Sequence, residues 1–210
     1  VCFSDLGNTV YCVDNDINKI NYLNSGKVPI YEPGLEEILK RNYNQKRLIF
    51  TSDLKKAVQN SDIVFICVGT PTKKYSNQAD LRYVYQATKE LKKYINKYKI
   101  IVTKSTVPVT TGDKIENILS NLKRKKLIDV VSNPEFLREG EAIRDFLYPD
   151  RVVIGVHSKK ANKIMKSLYL PIIKKEGRYF STSRRAAELI KYASNAFLAT
   201  KISYINEIAN

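Results

Sequence analysis

Short apolar runs alternate along the sequence with amphipathic stretches, and this alternation limits the chain to one class of fold. Each run has the length of a strand, is rich in Val and Ile, and leads through turn residues into a helix-length segment. The predicted strands are Thr9–Val13, Arg47–Thr51, Asp62–Val68, Lys99–Thr103, Leu127–Val131, Arg151–Val156 and Arg178–Phe180. Strands that alternate with helices through short loops predict an α/β protein with a doubly wound, mostly parallel sheet.

The helical segments between these strands indicate where the first domain ends. They are Asp16–Asn24, Leu35–Asn42, Leu54–Asn60, Leu81–Ile95, Thr110–Leu122 and Ser158–Ile173. The alternation stops near residues 180–183, and Arg185–Asn210 is predicted as one long connecting helix. We therefore predict a sheet domain over residues 1–182 and the start of a long central helix over residues 183–210.

Composition excludes several classes of protein. The net charge is +15, but Lys pairs are spread over the whole chain and Arg is scarce, so solvated faces explain the charge better than a nucleic-acid site does. The longest apolar run, 63–68, is too short to cross a bilayer. One His excludes a multi-His zinc site, and three Cys with apolar neighbours (Cys2, Cys12 and Cys67) do not form a disulfide framework. We expect a soluble cytoplasmic protein without a metal, a membrane contact or a nucleic-acid partner.

Asp14 ends the first predicted strand, at the edge where a parallel sheet binds its ligands. In dinucleotide-binding folds an acidic residue here accepts the ribose hydroxyls of adenosine and repels a 2′-phosphate. The glycine fingerprint, expected about 20 residues upstream, would precede Val1, and the sequence contains no G-x-G. Taken alone, Asp14 is equally well explained as a residue that begins a helix.

Three further predicted strands lead into polar side chains at the same edge. Thr70, Thr106 and Glu135 each follow a strand within a short loop that carries hydroxyl, amide or carboxylate groups. Taken alone, the loop that contains Thr70 is better explained as a plain turn than as a ligand site. The convergence of the three loops at one edge favours a binding site.

Lys191 and Asn195 lie four residues apart on the long helix and therefore share a face. Their neighbours in sequence are mostly apolar. Burying a Lys in such surroundings costs free energy unless its charge is paired or takes part in binding or catalysis. The alternative is a Lys that extends along the apolar surface to reach water, and this arrangement is more common.

Seven segments, in one order along the full chain, resemble the UDP-glucose/GDP-mannose dehydrogenase family. They are Cys2–Gly7, Tyr31–Leu35, Val68–Thr72, Lys104–Pro108, Asn133–Gly140, Tyr148–Arg151 and Glu188–Phe197. The resemblance implies a Rossmann-like NAD-binding domain. It also implies a homodimer in the complete enzyme, with the long helix at the dimer contact.

The resemblance further implies a reaction, the four-electron oxidation of UDP-glucose to UDP-glucuronate. Two NAD⁺ act in succession, and a Cys nucleophile holds the intermediates. The NAD site would include Asp14, Lys19, Thr70, Thr106 and Glu139. The sugar nucleotide would contact Glu135, Phe136, Leu137, Arg138, Glu139, Lys191 and Asn195.

Four of these residues would take part in catalysis, according to the same resemblance. Glu135 would assist proton transfer and thioester hydrolysis, and Thr106 would help to place water. Lys191 and Asn195 would stabilise the oxyanion that develops at C6.

Two parts of the family pattern have no match in the sequence. The family's first strand and Gly-rich turn would precede Val1, and its nucleophilic Cys would follow Asn210. We therefore expect this polypeptide alone to be inactive. The alternatives are a non-catalytic or decayed nucleotide-binding remnant, a dehydrogenase for GDP-mannose or UDP-N-acetylmannosamine, and a basic nucleic-acid-binding module.

Overall fold

A computed structural model of the chain describes residues 1–76, 78–173 and 178–209. The strands are β1 (Val10–Val13), β2 (Leu48–Thr51), β3 (Ile63–Ile66), β4 (Lys99–Thr103), β5 (Ile128–Ser132), β6 (Val152–Gly155) and β7 (Tyr179–Thr182). The helices are α1 (Cys2–Asp5), α2 (Ile17–Asn24), α3 (Leu35–Asn44), α4 (Leu54–Asn60), α5 (Arg82–Lys92), α6 (Thr111–Ile118), α7 (Ser120–Arg124), α8 (Ala142–Leu147), α9 (Lys159–Tyr169) and α10 (Arg184–Ala209). The predicted alternation and the long last helix are confirmed, and Asn210 lies outside the described residues.

The strands form two hydrogen-bonded groups. In one, β1 pairs in parallel with β2, and in the other the order is β3-β4-β5-β6-β7. All pairs are parallel except β5 with β6, which meet only at Ser132 and Gly155. This is the mostly parallel, Rossmann-like α/β architecture that the sequence predicts.

A single continuous sheet was the expectation, and in this respect the prediction is wrong. In the described part of the chain β1 and β3 each pair with one neighbour, and no backbone ladder joins them. The order 3-2-1-4-5-6 would place one strand between these two edges. As a consequence β3 is only partly covered, and three of its four residues are half-buried although the sequence predicts a strand buried on both faces.

Val1 and Phe3 contact the apolar clusters of the two groups of strands. Phe3, in α1, packs against Phe65, Phe146 and Tyr169, with ring centroids 5.0–5.4 Å apart. Val1, just before α1, packs against the separate apolar cluster of β1 and β2. Helix α1 and the residue before it therefore contribute to both cores.

Two helical predictions need correction, and both have a physical cause. The predicted helix Thr110–Leu122 is broken at Leu119, whose side chain is fully buried. Lys92 Nζ donates a hydrogen bond to the Ile118 carbonyl at 2.6 Å, just before the break. The short helix α8 was not predicted, because the groups that hold its first turn come from far along the chain. Glu32 accepts the amides of Gly140 and Ala142 at 2.9 and 2.7 Å.

The apolar neighbours of the three cysteines in the sequence do not make these side chains fully buried in the structure. Cys67 lies after the end of β3 and is exposed, while Cys2 and Cys12 are half-buried. Strand β3 ends at Ile66, two residues before the apolar run ends at Val68, so Cys67 lies outside the strand.

The start of α10 packs directly on β6, and Gly155 makes this contact possible. A Cβ at Gly155 would come within 2.7 Å of Arg184 Cα and Ala187 Cβ. Arg184, itself buried, pairs with Asp113 and Glu116 of α6 at 2.7 Å. The helix is therefore fixed against the sheet over its first turns.

Among the described residues, no helix combines the length and the apolar character that a membrane span requires.

Candidate functional site

The parallel register of β3, β4 and β5 brings three polar loops together. Ile66 is aligned with Thr103, and Thr103 with Ser132, so the three strands end at one level. The loops after β3 and β4 are joined by hydrogen bonds, since Thr70 Oγ1 donates to the Thr106 carbonyl at 2.9 Å and Ser105 Oγ donates to the Val68 carbonyl at 2.7 Å. We call this level of the sheet the ligand edge.

An ion pair between Glu135 and Lys191 lies at the ligand edge. Lys191 Nζ donates to Glu135 Oε1 at 2.7 Å, and the Lys191 side chain is only 9% exposed. The second oxygen of Glu135 accepts the Leu137 amide at 2.6 Å, which fixes the carboxylate in its loop. Lys191 therefore points into the protein, and the alternative of a side chain directed to bulk water is wrong.

The charges around this pair are unequal. Burial alone would raise the pKa of Glu135, but hydrogen bonds from Lys191 and the Leu137 amide outweigh it and lower the pKa. Half-buried Lys104 adds a second cation nearby, and burial lowers its pKa to about 8 against the opposing effects of Cys67 and Glu135. One carboxylate thus faces two cations, so the ligand edge favours negative charge.

The ring of Phe136 is held between cations of two elements. The Arg151 guanidinium carbon lies 4.3 Å from the ring centroid, and Lys191 Nζ lies 5.5 Å from it. Arg151 also reaches Ser194 Oγ of α10 at 3.5 Å. These contacts tie the loop that carries Glu135 to the helix that carries Lys191.

The other residues predicted to contact the sugar nucleotide are more open. Leu137 is 38% exposed, and Glu139 is exposed. Arg138 is also exposed, and its guanidinium pairs with Asp145 at 2.7 Å. Asn195 is exposed, one turn beyond Lys191, and within the described ranges its side chain makes no hydrogen bond with Glu135 or Thr106.

Asp14 and Lys19 form a second ion pair, at the end of β1. Lys19 Nζ lies 2.5 Å from Asp14 Oδ2, and the two side chains are 46% and 29% exposed, respectively. The hydrogen bond from Lys19 lowers the pKa of Asp14. Asp14 also accepts the Asp16 amide at 3.1 Å, so it has the local role of a residue that begins a helix as well.

Glu188 is a buried carboxylate that sequence reasoning did not single out. It accepts the amides of Thr110 and Gly112 at 2.8 and 2.7 Å and the hydroxyl of Ser132 at 3.1 Å. Burial raises its pKa against these three donors. Its position three residues before Lys191 puts both on one helix face, and that spacing was the signal that could have revealed it.

Arg151 was also missed as a site residue, although it ends the matched segment Tyr148–Arg151. A parallel β6 would place the start of that strand at the far edge of the sheet. Because β6 is antiparallel to β5, Arg151 lies instead beside Phe136 at the ligand edge.

The arrangement suits chemistry on an oxygen-bearing carbon. A buried ammonium can stabilise developing negative charge, and a carboxylate beside it can hold or accept a proton. Among the described residues no group of three or more His, Cys, Asp and Glu side chains is arranged to hold a metal ion.

Comparison with known proteins agrees with this geometry. Residues 1–173 match the NAD binding domain of the UDP-glucose/GDP-mannose dehydrogenase family, and residues 185–210 match its central domain. The whole chain is 50% identical to UDP-glucose 6-dehydrogenase of Rhizobium meliloti, of which it covers 48%. The chain thus spans about half the length of the curated relatives it matches.

Solved structures show the same relationship. A ternary complex of GDP-mannose dehydrogenase from Pseudomonas aeruginosa matches 98% of this chain with a TM-score of 0.92 and 36% identity, and 48% of that chain is covered. A UDP-glucose dehydrogenase from Pyrobaculum islandicum matches with a TM-score of 0.91 and 39% identity over the same shares of both chains. The sequence resemblance, the fold and these matches agree, and the chain belongs to the UDP-glucose/GDP-mannose dehydrogenase family.

Proposed function

We propose that the chain is the cofactor-binding portion of an enzyme that oxidises UDP-glucose to UDP-glucuronate with NAD. The observation that carries this proposal is the buried Lys191–Glu135 pair at the ligand edge. An ammonium fixed at that position suits a reaction in which negative charge develops on the oxygen of the carbon being oxidised.

The residues at the ends of β1 and β3 fit a dinucleotide. The Asp14 carboxylate is partly open to solvent and can accept two ribose hydroxyls. A Cβ at Gly69 would meet no atom within 4 Å, so there is space for a ligand beside Thr70. Bound NAD would supply a hydride acceptor. Asp14, Lys19, Thr70, Thr106 and Glu139 would hold it.

Three side chains would act on the sugar alcohol and its oxidation products. Lys191 would stabilise negative charge on the C6 oxygen, and its contact with Glu135 would keep the ammonium in place before the substrate binds. Glu135, whose lowered pKa keeps it ionised at neutral pH, would accept a proton, and Thr106 would help to place water. Asn195 would add a neutral donor at C6 and thus a weaker contact than that of Lys191.

The loop after β5 would bind the sugar nucleotide through Glu135, Phe136, Leu137, Arg138 and Glu139. The cations Lys104, Lys191 and Arg151 around this loop give it a field that attracts a diphosphate-bearing substrate.

We also propose that the complete enzyme is a cytoplasmic homodimer, with a domain boundary at residues 182–183. The support is the row of exposed apolar side chains on α10, which would be covered in a helix-to-helix contact. These side chains are Leu189, Phe197, Leu198, Ile202, Tyr204, Ile205 and Ile208.

The test is a steady-state assay of the complete protein that carries this chain. We expect NADH to form with UDP-glucose in a ratio of two per substrate, and with a far lower kcat/KM for GDP-mannose and UDP-N-acetylmannosamine. NAD should be preferred over NADP, because a 2′-phosphate would meet Asp14. A higher kcat/KM for another nucleotide sugar would refute the proposed substrate, and equal use of both cofactors would refute the role of Asp14.

A further inference from the structure

A small recess lies beside Lys191, between β4, β5 and α10. Its lining includes Thr103, Thr106, Ser132, Glu188 and Lys191. Its volume is about 10 Å³, close to the space that one water molecule needs. Thr103, Ser132 and Glu188 are only 2–3% exposed, so this side of the recess belongs to the interior of the protein.

The Thr103 hydroxyl indicates what the recess holds. Thr103 Oγ1 is buried, and no described residue provides it with a hydrogen-bond partner. A buried hydroxyl without a partner costs free energy, and most such groups in proteins are satisfied by protein or by ordered water. Thr103 lines the recess, so we expect a water there to bond its hydroxyl.

Both charged groups of the recess also have unused hydrogen-bonding capacity. Lys191 has three N–H donors, and in the described part of the chain Glu135 takes one of them. Glu188 accepts three hydrogen bonds, and a carboxylate offers about four acceptor positions. A water has two donors and two acceptors, which suits an ammonium and a hydroxyl on one side and a carboxylate on the other.

We propose that one resident water fills this recess and joins Glu188 to Lys191, which makes Glu188 a positioning residue for the Lys191 ammonium. The ammonium is then held from two sides, directly by Glu135 and through the water by Glu188. Glu188 is itself fixed by the first amides of α6 and by Ser132, so it is a rigid anchor. This inference rests on the role of Lys191 proposed above.

Thr103→Val separates a hydrated recess from a dry one by the sign of its effect on stability. In a hydrated recess the valine removes a partner of the water, and Tm of the complete protein should fall by about 2–4 °C. In a dry recess the valine removes an unpaired buried hydroxyl, and Tm should rise or stay the same. The second result would overturn the proposal.

Crystal structures of the complete protein and its variants test the water directly. We expect an ordered water within hydrogen-bonding distance of Thr103, Glu188 and Lys191 in the native protein. Thr103→Ser is the matched control, because it keeps the hydroxyl and should keep the water, whereas Thr103→Val should lose it. A native recess without a water would overturn the proposal.

The kinetics of the same variants test the positioning of Lys191. With UDP-glucose, kcat of Thr103→Val should fall about threefold to tenfold, the effect of one lost hydrogen bond, while KM for NAD stays constant. Thr103→Ser should restore most of kcat. An unchanged kcat in a Thr103→Val protein that has lost its water would refute the positioning role. If the native protein does not oxidise UDP-glucose, the proposed function fails, but the Tm and the crystal structures still decide the water site.

Discussion

At the scale of single residues, the ammonium of Lys191 and the amide of Asn195 lie in different surroundings. Lys191 is buried and paired with Glu135, while Asn195 lies exposed one turn away. Lys191→Ala should therefore lower kcat of the complete enzyme by on the order of 10²-fold or more, as the loss of an oxyanion donor does. Asn195→Ala should cost less.

The control for this pair is Lys201→Ala, on an exposed part of the same helix. Alanine favours helix at all three positions, so circular dichroism should show unchanged helix content. Near-native turnover in Lys191→Ala would contradict the oxyanion role.

Lys104 gives a prediction for stability against pH. Its pKa in the folded protein is about 8, against 10.5 for a free Lys, because burial penalises the charged form. Between these two pH values the unfolded chain binds more protons than the folded one, so this residue makes stability rise with pH across that window. Below pH 8 Lys104 is charged in the folded protein, so the full cost of burying its charge lowers the stability.

Replacement of Lys104 by Met removes that penalty. Urea unfolding should therefore show a higher stability for Lys104→Met than for the native chain at pH 7, and the difference should shrink as pH rises from about 8 to 10.5. A difference that stays constant across that range would show that Lys104 does not titrate there.

The matched segments and their order in the sequence predicted the residues of the ligand edge. Other site residues were missed because their contacts join parts of the chain that are remote in sequence. Glu135 and Lys191 were identified from matched segments, but the distance between them depends on how α10 packs. Glu188 resembles an ordinary surface carboxylate in the sequence, since its partners Thr110 and Gly112 are remote in the chain.

At the scale of elements, the contact of β6 with α10 depends on a glycine. A methyl group at Gly155 would lie within 2.7 Å of backbone and side-chain atoms of α10, so Gly155→Ala must push the helix away from the sheet. We expect a loss of about 1–3 kcal/mol in the free energy of unfolding, the usual range for overpacking. The matched control is Gly69→Ala, which meets no atom within 4 Å. Equal Tm values for the two variants would contradict the close packing.

Element boundaries were predictable where local signals set them and not where remote contacts do. Asp16 and Asp53 cap α2 and α4, because each side chain accepts amides two or three residues further on. The sequence limits each cap to two neighbouring candidates, Asn15 or Asp16 and Ser52 or Asp53. The break between α6 and α7 and the existence of α8 depend on Lys92 and Glu32, which lie outside those segments.

At the scale of the whole molecule, the two groups of strands have unequal cores. Among the residues that the structure describes, the cluster under β1 and β2 contains four buried residues, whereas the clusters on either side of β4 contain ten and nine. Regions with little buried apolar surface open at lower free energy. Amides of β1 and β2 should therefore exchange with deuterium faster than those of β4 and β5, as measured by mass spectrometry on this chain. Equal protection would show that the chain unfolds as one unit.

The reversed direction of β6 and β7 determines where α10 leads. These two strands are antiparallel to β3–β5. Helix α10 therefore begins beside Gly155, contacts Ser132 through Glu188, and reaches Glu135 through Lys191. The part of α10 that follows Lys191 extends for about 27 Å beyond this point. The last turns of α10 are therefore held away from the sheet, on the side of the ligand edge, and their side chains are exposed.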